Sequence, residues 1–336
     1  MSMVGTPELA IVIPAYKSAY LERTLKSISE QTDQRYKVYI CDDASPWPIQ
    51  EIVGRCGLPT DRVVYHRFES NLGRRSLAQH WDRCIRLSKE PWVWLFSDDD
   101  IMEHLCVEAF YQTLCRTNGS HDIYRFDTAV IDGADKIVSL SPPNPDVESW
   151  DKLAYFVLRG LRLIVQQSLV FRRTAYEKIG GFLDWPNGWH SDCAFAIACA
   201  TNAGICTVRP GRVLFRQAGL NISSTRSWDN ARFKRAATAR FVEWLLQHIR
   251  QNPLNDFPGV LQLESLARNF FFAQLRAMIK PIGMKETKNL LPFMQQTLGM
   301  STLVAYGTVL HYDLSWFTER VRQTILEWLN LNIPRK

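Results

Sequence analysis

Three consecutive carboxylates, Asp98, Asp99 and Asp100, follow the short apolar run at residues 92–96. Neighbouring carboxylates repel one another, and this repulsion raises their pKa values unless a cation compensates the charge. Oxygen ligands suit Mg²⁺ or Mn²⁺, and Mg²⁺ typically completes its shell with water and phosphate oxygens. The same aspartates also suit the N-terminus of a helix that starts at Met102. The stretch therefore predicts either a divalent-metal site or an acidic helix cap.

A second acidic pair, Asp42 and Asp43, ends the apolar run at residues 36–41, and Pro46 and Pro48 break the chain just after it. Aspartate at such a place is a common turn former. A carboxylate at a strand end can also accept a hydrogen bond from a ribose hydroxyl, as the acidic residue of dinucleotide-binding sheets does. Both interpretations stay open for this pair.

The elements around these aspartates alternate between strand and helix patterns. Short apolar runs predict strands at 9–14, 36–41, 62–68 and 92–96, and helical spacing of apolar residues predicts helices at 20–31, 73–88 and 102–116. This alternation implies a parallel sheet with helices on both faces. Ligands bind beyond the carboxyl ends of the strands in such sheets. We therefore expect both aspartate clusters to meet in one crevice.

The pattern changes at residue 228. Strand and short-helix patterns up to residue 216 give way to predicted helices at 228–251, 259–280, 285–298 and 314–331. From residue 228 onward there are 14 basic and 8 acidic residues, which accounts for the whole net charge of +6. We therefore predict two regions, 1–226 and 227–336. The basic one would meet a different partner, such as an anionic lipid, an anionic substrate or a nucleic acid.

Composition and cysteine spacing limit the class of protein. The chain has 336 residues, of which 46% are hydrophobic, as expected of a folded protein. No run approaches the roughly 18 apolar residues of a membrane span, and the start of the chain lacks a secretory-signal pattern. These features predict a cytoplasmic protein. The eight cysteines have no Cys-x-x-Cys spacing, so we expect buried, reduced thiols and no zinc site.

Several short motifs resemble the family 2 glycosyltransferases, whose catalytic domain has the GT-A fold. In order they are IVIPAY at 11–16, LERTLKSISEQ at 21–31, CDDAS at 41–45, NLG at 71–73, LFSDDD at 95–100 and GGFLD at 180–184. Each motif is weak alone, and their common order over residues 8–226 makes the resemblance strong. It implies an α/β fold: a GT-A nucleotide-sugar-binding domain with a mixed central sheet, followed by an all-helical C-terminal region.

The resemblance also implies roles toward a nucleotide sugar, which we expect to be a UDP-sugar. The matched residues lie in loops that follow strands. They are Pro14, Ala15 and Tyr16 beside the base, Asp42 and Asp43 at the position that contacts uracil or its counterpart, and Asn71, Gly73 and Arg75 around the nucleotide and its diphosphate. Asp98 and Asp100 match the ends of the DxD metal motif and would hold Mn²⁺ or Mg²⁺. Asp99, between them, would face the ribose or the sugar.

Two features depart from the family pattern. The family's catalytic base is the aspartate of a Glu-Asp pair that opens a helix, and here the match is Ser191-Asp192. Asp192 is therefore the candidate base, with a helix cap as the structural alternative and His190 as the next candidate. Relatives also carry a histidine near the position of Arg216, where this chain has none. The polar segment ending at Arg226 would then close over the diphosphate or form a plain surface loop.

The implied reaction is a single displacement that inverts the anomeric carbon, with a saccharide or lipid-linked saccharide as acceptor. One rival is a non-catalytic sugar- or nucleotide-binding module, which the carboxylates at all three functional positions oppose. A dehydrogenase is excluded because no Gly-x-Gly-x-x-Gly follows the first strand. A nucleotidyltransferase would normally show a glycine-rich phosphate loop near that strand, and none is present.

The last predicted helix is amphipathic. Its apolar face carries Leu314, Phe317, Val321, Ile325, Trp328 and Leu329. This face predicts either a peripheral contact with the inner face of a membrane or packing on the catalytic domain or in a homodimer. Many relatives glycosylate lipid-linked acceptors, which favours the membrane. We expect no nucleic-acid partner, since the charge excess is modest.

Overall fold

The strand β1 (Leu9–Ala15) lies in the middle of the sheet, between β2 (Tyr36–Asp42) and β4 (Trp92–Leu95), and pairs in parallel with both. Its side chains alternate between two buried cores, with Val12 in one and Ile11 in the other. A strand buried on both faces is apolar at nearly every position, which explains the run LAIVIPA. The computed structural model describes residues 8–219, 227–277 and 282–331.

The described residues form one mixed sheet, as the family resemblance implies. Its order is β3-β2-β1-β4-β9-β6-β10-β5, with β7 beside β6 and β8 beside β10. The first four strands are parallel, whereas β9 and β5 are antiparallel to their neighbours. The remaining strands are β3 (Val63–Arg67), β5 (Ile101–Met102), β6 (Ile123–Ile131), β7 (Ile137–Leu140), β8 (Val147–Glu148), β9 (Leu169–Arg172) and β10 (Ile205–Arg216).

Seven helices up to residue 199 cover the sheet within the described chain. They are α1 (Leu21–Ser29), α2 (Ile49–Arg55), α3 (Leu77–Ile85), α4 (Cys106–Arg116), α5 (Trp150–Leu158), α6 (Arg173–Ile179) and α7 (Ser191–Cys199). The helix α3 begins later than predicted because the Ser76 hydroxyl caps it, accepting from Gln79 N at 3.1 Å. The helix α4 also begins later than predicted, because Met102 pairs with Val213 in the sheet. The aspartates before Met102 therefore do not cap a helix there.

The C-terminal region is helical, as predicted. It consists of α8 (Trp228–Gln251), α9 (Val260–Ala277), α10 (Gly283–Gln296) and α11 (Thr302–Leu331). The helix α8 packs on the sheet region: Phe241 lies 6.1 Å from Trp185 between ring centroids, and His248 Nε2 is 3.1 Å from Thr201 Oγ1. The predicted boundary at residue 226 lies outside the described residues, and the division into 1–226 and 227–336 stays a prediction.

Two further findings concern the cysteines and the membrane. All eight cysteines are free thiols, as the sequence predicts, and six of them are buried, whereas Cys193 is half-buried and Cys115 is exposed. Within residues 8–219, 227–277 and 282–331, the helices are too short or too polar for any of them to traverse a lipid bilayer.

Candidate functional site

A cavity of about 770 Å³ opens where β1, β2 and β4 end. Loops before β9 and α7 form part of its wall, and the helix α8 contributes Asn230 and Lys234. The candidates that line it are Pro14, Tyr16, Asp43, Asn71, Gly73, Asp98, Asp99, Asp100, His190 and Asp192. The structure thus brings residues from five separate stretches of sequence to one place, including both aspartate clusters.

Three other candidates within the described chain do not line the cavity. Ala15 is buried in β1, and Arg75 is exposed beside Arg74, which does line the cavity. Asp42 is buried, and its carboxylate accepts from Ser45 N at 2.8 Å and from the Tyr65 hydroxyl at 2.6 Å. These contacts give Asp42 the role of a turn residue. Arg226 lies outside the described residues.

Asp43 shapes the loop that carries Asn71 and Gly73. Its two carboxylate oxygens accept from Leu72 N and Gly73 N, each at 2.9 Å, and Arg83 pairs with the same carboxylate. A Cβ at residue 73 would lie 2.7 Å from Asp43 Oδ2. Only glycine fits this close approach, so the spacing between Asp43 and Gly73 has a steric cause.

Asp98 fixes the loop that follows β1. Its Oδ2 accepts from Tyr16 N at 2.8 Å and from Lys17 N at 2.7 Å. The Lys17 ammonium lies 3.4 Å from Asp98 Oδ1 and also pairs with Asp99. Sequence reasoning missed Lys17, although it directly follows the matched residues Pro14 to Tyr16. This cation partly compensates the charge of the aspartates.

Asp100 has one satisfied oxygen and one unsatisfied oxygen. Its Oδ1 accepts from Arg216 N at 2.7 Å, whereas its buried Oδ2 has no hydrogen-bond partner among the described residues. Burial, then the charge of Asp99, raises the pKa of Asp100 to about 8. A buried carboxylate oxygen without a partner is costly, and a cation would remove that cost.

The donor set around Asp100 suits a metal that substrate helps to hold. In the described part of the chain, no group of three or more His, Cys, Asp or Glu side chains is arranged to bind a metal ion. Mg²⁺ commonly takes one or two carboxylates and completes its shell with water and phosphate oxygens. The free oxygen of Asp100 therefore fits a divalent cation that arrives with a phosphate-bearing ligand.

Arg216, at the end of β10, contacts the turn formed by residues 98–100, here called the aspartate turn. Its side chain is buried, with Nε donating to Asp99 O and Nη1 donating to Asp132 O, both at 2.7 Å. The guanidinium also lies 4.2 Å from the centroid of the Tyr20 ring. The sequence marked Arg216 only as the place of a missing histidine. Its structural role depends on contacts with residues more than 80 positions away.

Asp192 lies in the first turn of α7 and faces the cavity. Its Oδ1 accepts from Cys193 N at 2.8 Å, and burial raises its pKa to about 6. A carboxylate with this pKa is ionised at neutral pH and is still basic enough to take a proton. Asp192 is therefore a carboxylate that a ligand in the cavity can reach and that can exchange a proton near neutral pH.

The family model of glycosyl transferase family 2 matches residues 10–180, which is half of the chain. The chain belongs to glycosyl transferase family 2. A curated relative, the succinoglycan biosynthesis protein ExoW of Rhizobium meliloti (strain 1021), is 25% identical over 185 residues. The match covers 51% of this chain and 57% of ExoW, so the chain spans little more than half the length of that relative.

Solved structures show the same fold. The 1–349 portion of S. aureus TarS matches with a TM-score of 0.62 at 13% identity, over 98% of this chain and 93% of that one. The same portion in complex with UDP-GlcNAc matches with a TM-score of 0.57 at 13% identity, over 94% and 92% of the two chains. The likeness extends through the C-terminal helices, and at this identity it shows the fold alone.

In this family 2 glycosyltransferase, Ser191 stands where the sequence resemblance implies a glutamate, and its hydroxyl contacts a residue other than Asp192. Ser191 is fully buried, and its hydroxyl donates to Leu183 O at 2.7 Å. The serine thereby ties the start of α7 to the Gly-Gly-Phe-Leu-Asp loop before it. Asp192 is positioned by the helix and by this loop.

His190, the other candidate base of this glycosyltransferase, also lines the cavity and packs against α8. Its Nε2 lies 3.1 Å from Thr238 Oγ1, and its ring stacks on Phe241 with centroids 5.0 Å apart. Burial, then the charge of Lys234, lowers the pKa of His190 to about 3. Such an imidazole is a weak base, so Asp192, with its pKa of about 6, is the more basic of the two side chains.

Proposed function

We propose that this protein is an inverting glycosyltransferase that moves a sugar from a UDP-sugar to a hydroxyl of a saccharide or lipid-linked saccharide in polysaccharide biosynthesis. The observation that carries the proposal is that Asp43, Asp100 and Asp192 line one cavity. Membership of the family supports sugar transfer. The name of ExoW, a succinoglycan biosynthesis protein, supports a polysaccharide product.

The donor would lie along the ends of β1 and β2. Tyr16 is 42% exposed beside Pro14, which leaves its ring free to lie against a base. Asp43 and Asn71 face the same part of the cavity lining and can accept hydrogen bonds from a base or a ribose. TarS structures in complex with UDP-GlcNAc and with UDP support the choice of uridine.

A divalent cation, Mn²⁺ or Mg²⁺, would be held by Asp100 and Asp98 together with oxygens of the donor. The buried Asp100 oxygen without a hydrogen-bond partner in the described chain supports this assignment. When bound, such a cation stabilises the negative charge of the leaving diphosphate. Lys17, which pairs with Asp98 and Asp99, is a second positive charge that can turn toward the diphosphate.

The acceptor hydroxyl would lose its proton to Asp192 as it attacks the anomeric carbon. Attack from the face opposite the leaving diphosphate inverts the configuration, so an α-linked donor gives a β-linked product. His190 and Ser191 would hold the start of α7 in place through Thr238 and Leu183.

A panel of nucleotide sugars tests the proposed reaction. The purified chain is incubated with UDP-, GDP- and dTDP-sugars and Mn²⁺, with and without simple glycosides, and nucleoside diphosphate release is measured. We expect release of UDP from at least one UDP-sugar. A nucleotidyltransferase would instead form pyrophosphate from UTP and a sugar 1-phosphate. Tight UDP-sugar binding without any release would indicate a non-catalytic module and contradict the proposal.

The exposed apolar face of α11 supports a contact with a lipid surface or with another protein chain. Leu314, Phe317, Val321 and Ile325 are each about half exposed or more, at spacings of three and four residues. A lipid surface or a second copy of the chain would cover this face. A lipid-linked acceptor favours the lipid surface, and the homodimer remains the alternative.

Liposome co-sedimentation distinguishes membrane contact from a homodimer. We expect the protein to bind anionic liposomes, to bind less at high salt, and to lose binding on deletion of residues 314–336. Phe317→Glu should weaken binding more than Thr318→Glu, which adds the same charge beside the apolar face. A stable dimer that does not bind liposomes and that dissociates on the same deletion would contradict membrane contact.

A further inference from the structure

Trp189 forms part of the cavity wall. It belongs neither to the proposed donor site nor to the proposed general base. The indole is half-buried, lines the cavity, and has a buried Nε1–H without a hydrogen-bond partner among the described residues. Buried polar groups in native proteins are nearly always paired. Because Trp189 lines the cavity, its unpaired N–H is a donor for which a bound ligand can supply the acceptor.

Lys234 brings a positive charge to the same indole. Its ammonium lies 4.2 Å from the centroid of the Trp189 ring, a cation–π contact, and it lines the cavity from α8. The ammonium covers one face of the ring, so a sugar cannot stack on that face. The indole N–H and the ammonium are instead two hydrogen-bond donors close together.

The loop that carries Trp189 is fastened to α8 on both sides of the indole. Asn187 Nδ2 donates to Asn230 Oδ1 at 2.8 Å, and His190 Nε2 lies 3.1 Å from Thr238 Oγ1. Asn187 and His190 both have positive φ values, 57° and 65°. Backbone held in this region by tertiary contacts is typical of functional sites. The two donors are therefore fixed relative to Asp192, which opens the next helix.

The part of the cavity at Trp189 and the aspartate turn differ in the sign of their charge. Asp98, Asp99 and Asp100 would repel an anionic acceptor group, whereas Lys234 attracts one. An anionic oxygen accepts well from both an indole N–H and an ammonium. We propose that Trp189 and Lys234 bind a phosphate or carboxylate group of the acceptor while Asp192 faces its hydroxyl. This inference rests on the proposed function and names its acceptor class as an anionic saccharide.

Indole NMR of the full chain, labelled with ¹⁵N-tryptophan, tests the site directly. The chain has 11 tryptophans, and Trp189→Phe identifies the Trp189 signal by removing it. With UDP and Mn²⁺ saturating the donor site, the protein is titrated with inorganic phosphate, methyl glucuronide and methyl glucoside. We expect the Trp189 signal to move with the two anions at far lower concentration than with the neutral glucoside.

Two variants on α8 check the role of the cation. Lys234→Met should weaken the response of the Trp189 signal to phosphate by on the order of tenfold, the usual worth of a charged hydrogen bond. Arg232→Met removes an exposed charge from the same helix and should leave the response unchanged. A wild-type response to the glucuronide alone or to phosphate alone would assign the site to a carboxylate or to a phosphate.

Three outcomes would overturn the inference. If neither anion moves the Trp189 signal, the anion site is refuted. Equal movement of that signal with the neutral glucoside would indicate a subsite for neutral sugars. In a parallel titration without UDP, movement that is lost when UDP is added would place the donor diphosphate on Lys234. Failure of the proposed function looks different, because no nucleotide sugar would then release its nucleoside diphosphate, whereas the response of the Trp189 signal to anions could remain.

Discussion

Replacing Asp100 by asparagine is expected to reduce sugar transfer by roughly 10³-fold, because a bound metal stabilises the leaving charge by several kcal/mol. Asparagine keeps an oxygen for Arg216 N, which Asp100 Oδ1 accepts at 2.7 Å. It removes the carboxylate charge whose Oδ2 has no partner in the described residues. Because burying that charge is costly, the melting temperature of the variant should equal or exceed that of the wild type.

The control for Asp100→Asn is Asp122→Asn, which removes a carboxylate that pairs with Arg172 at 3.0 Å and does not line the cavity. The control should keep wild-type turnover. EDTA should abolish transfer by the wild-type enzyme, and added Mn²⁺ or Mg²⁺ should restore it. Full activity in excess chelator would refute the metal assignment, whatever the behaviour of the variant.

The parts of the fold that the sequence predicts are those coded by local patterns. The strand β1 is a continuous apolar run because both its faces are buried. The strand β5 is only two residues long and exists because Ile101 pairs with Leu214. The strand β10 runs from Ile205 to Arg216 although Pro210 and Gly211, which are typical of turns, lie within it. In the structure the pairing with β6 is interrupted between Val208 and Arg212 and then continues.

The residues of the site also divide into those marked by local sequence motifs and those placed by tertiary contacts. Asp43, Asp100 and Asp192 belong to motifs with fixed spacing, so the sequence marks them without any knowledge of contacts. Lys17 and Lys234 have no such motif. Lys17 matters because the chain brings it to Asp98 and Asp99, more than 80 positions away, and Lys234 because α8 packs beside the loop at Trp189. Tertiary contacts of this kind cannot be inferred from local pattern.

Replacing Asp192 by asparagine is expected to lower kcat by roughly 10²-fold or more, the usual worth of a general base, with the affinity for UDP little changed. Asparagine preserves the shape of the side chain and can still accept from Cys193 N, so α7 should form normally. The matched control is Asp229→Asn, which removes an exposed acid from the first turn of α8. If Asp192 only stabilised its helix, both variants would lose a little stability and neither would lose turnover.

The pH profile gives an independent test of the same role. Burial raises the pKa of Asp192 to about 6, above the ordinary range of aspartate, so the base is protonated and inactive on the acid side of that value. For the wild-type enzyme, kcat/KM for the acceptor should therefore fall about tenfold per pH unit below pH 6 and level off above it. The residual activity of Asp192→Asn should lack this acid limb, because asparagine does not titrate. Wild-type turnover by Asp192→Asn would refute the role of Asp192, and loss of the acid limb in His190→Gln instead would assign the base to His190.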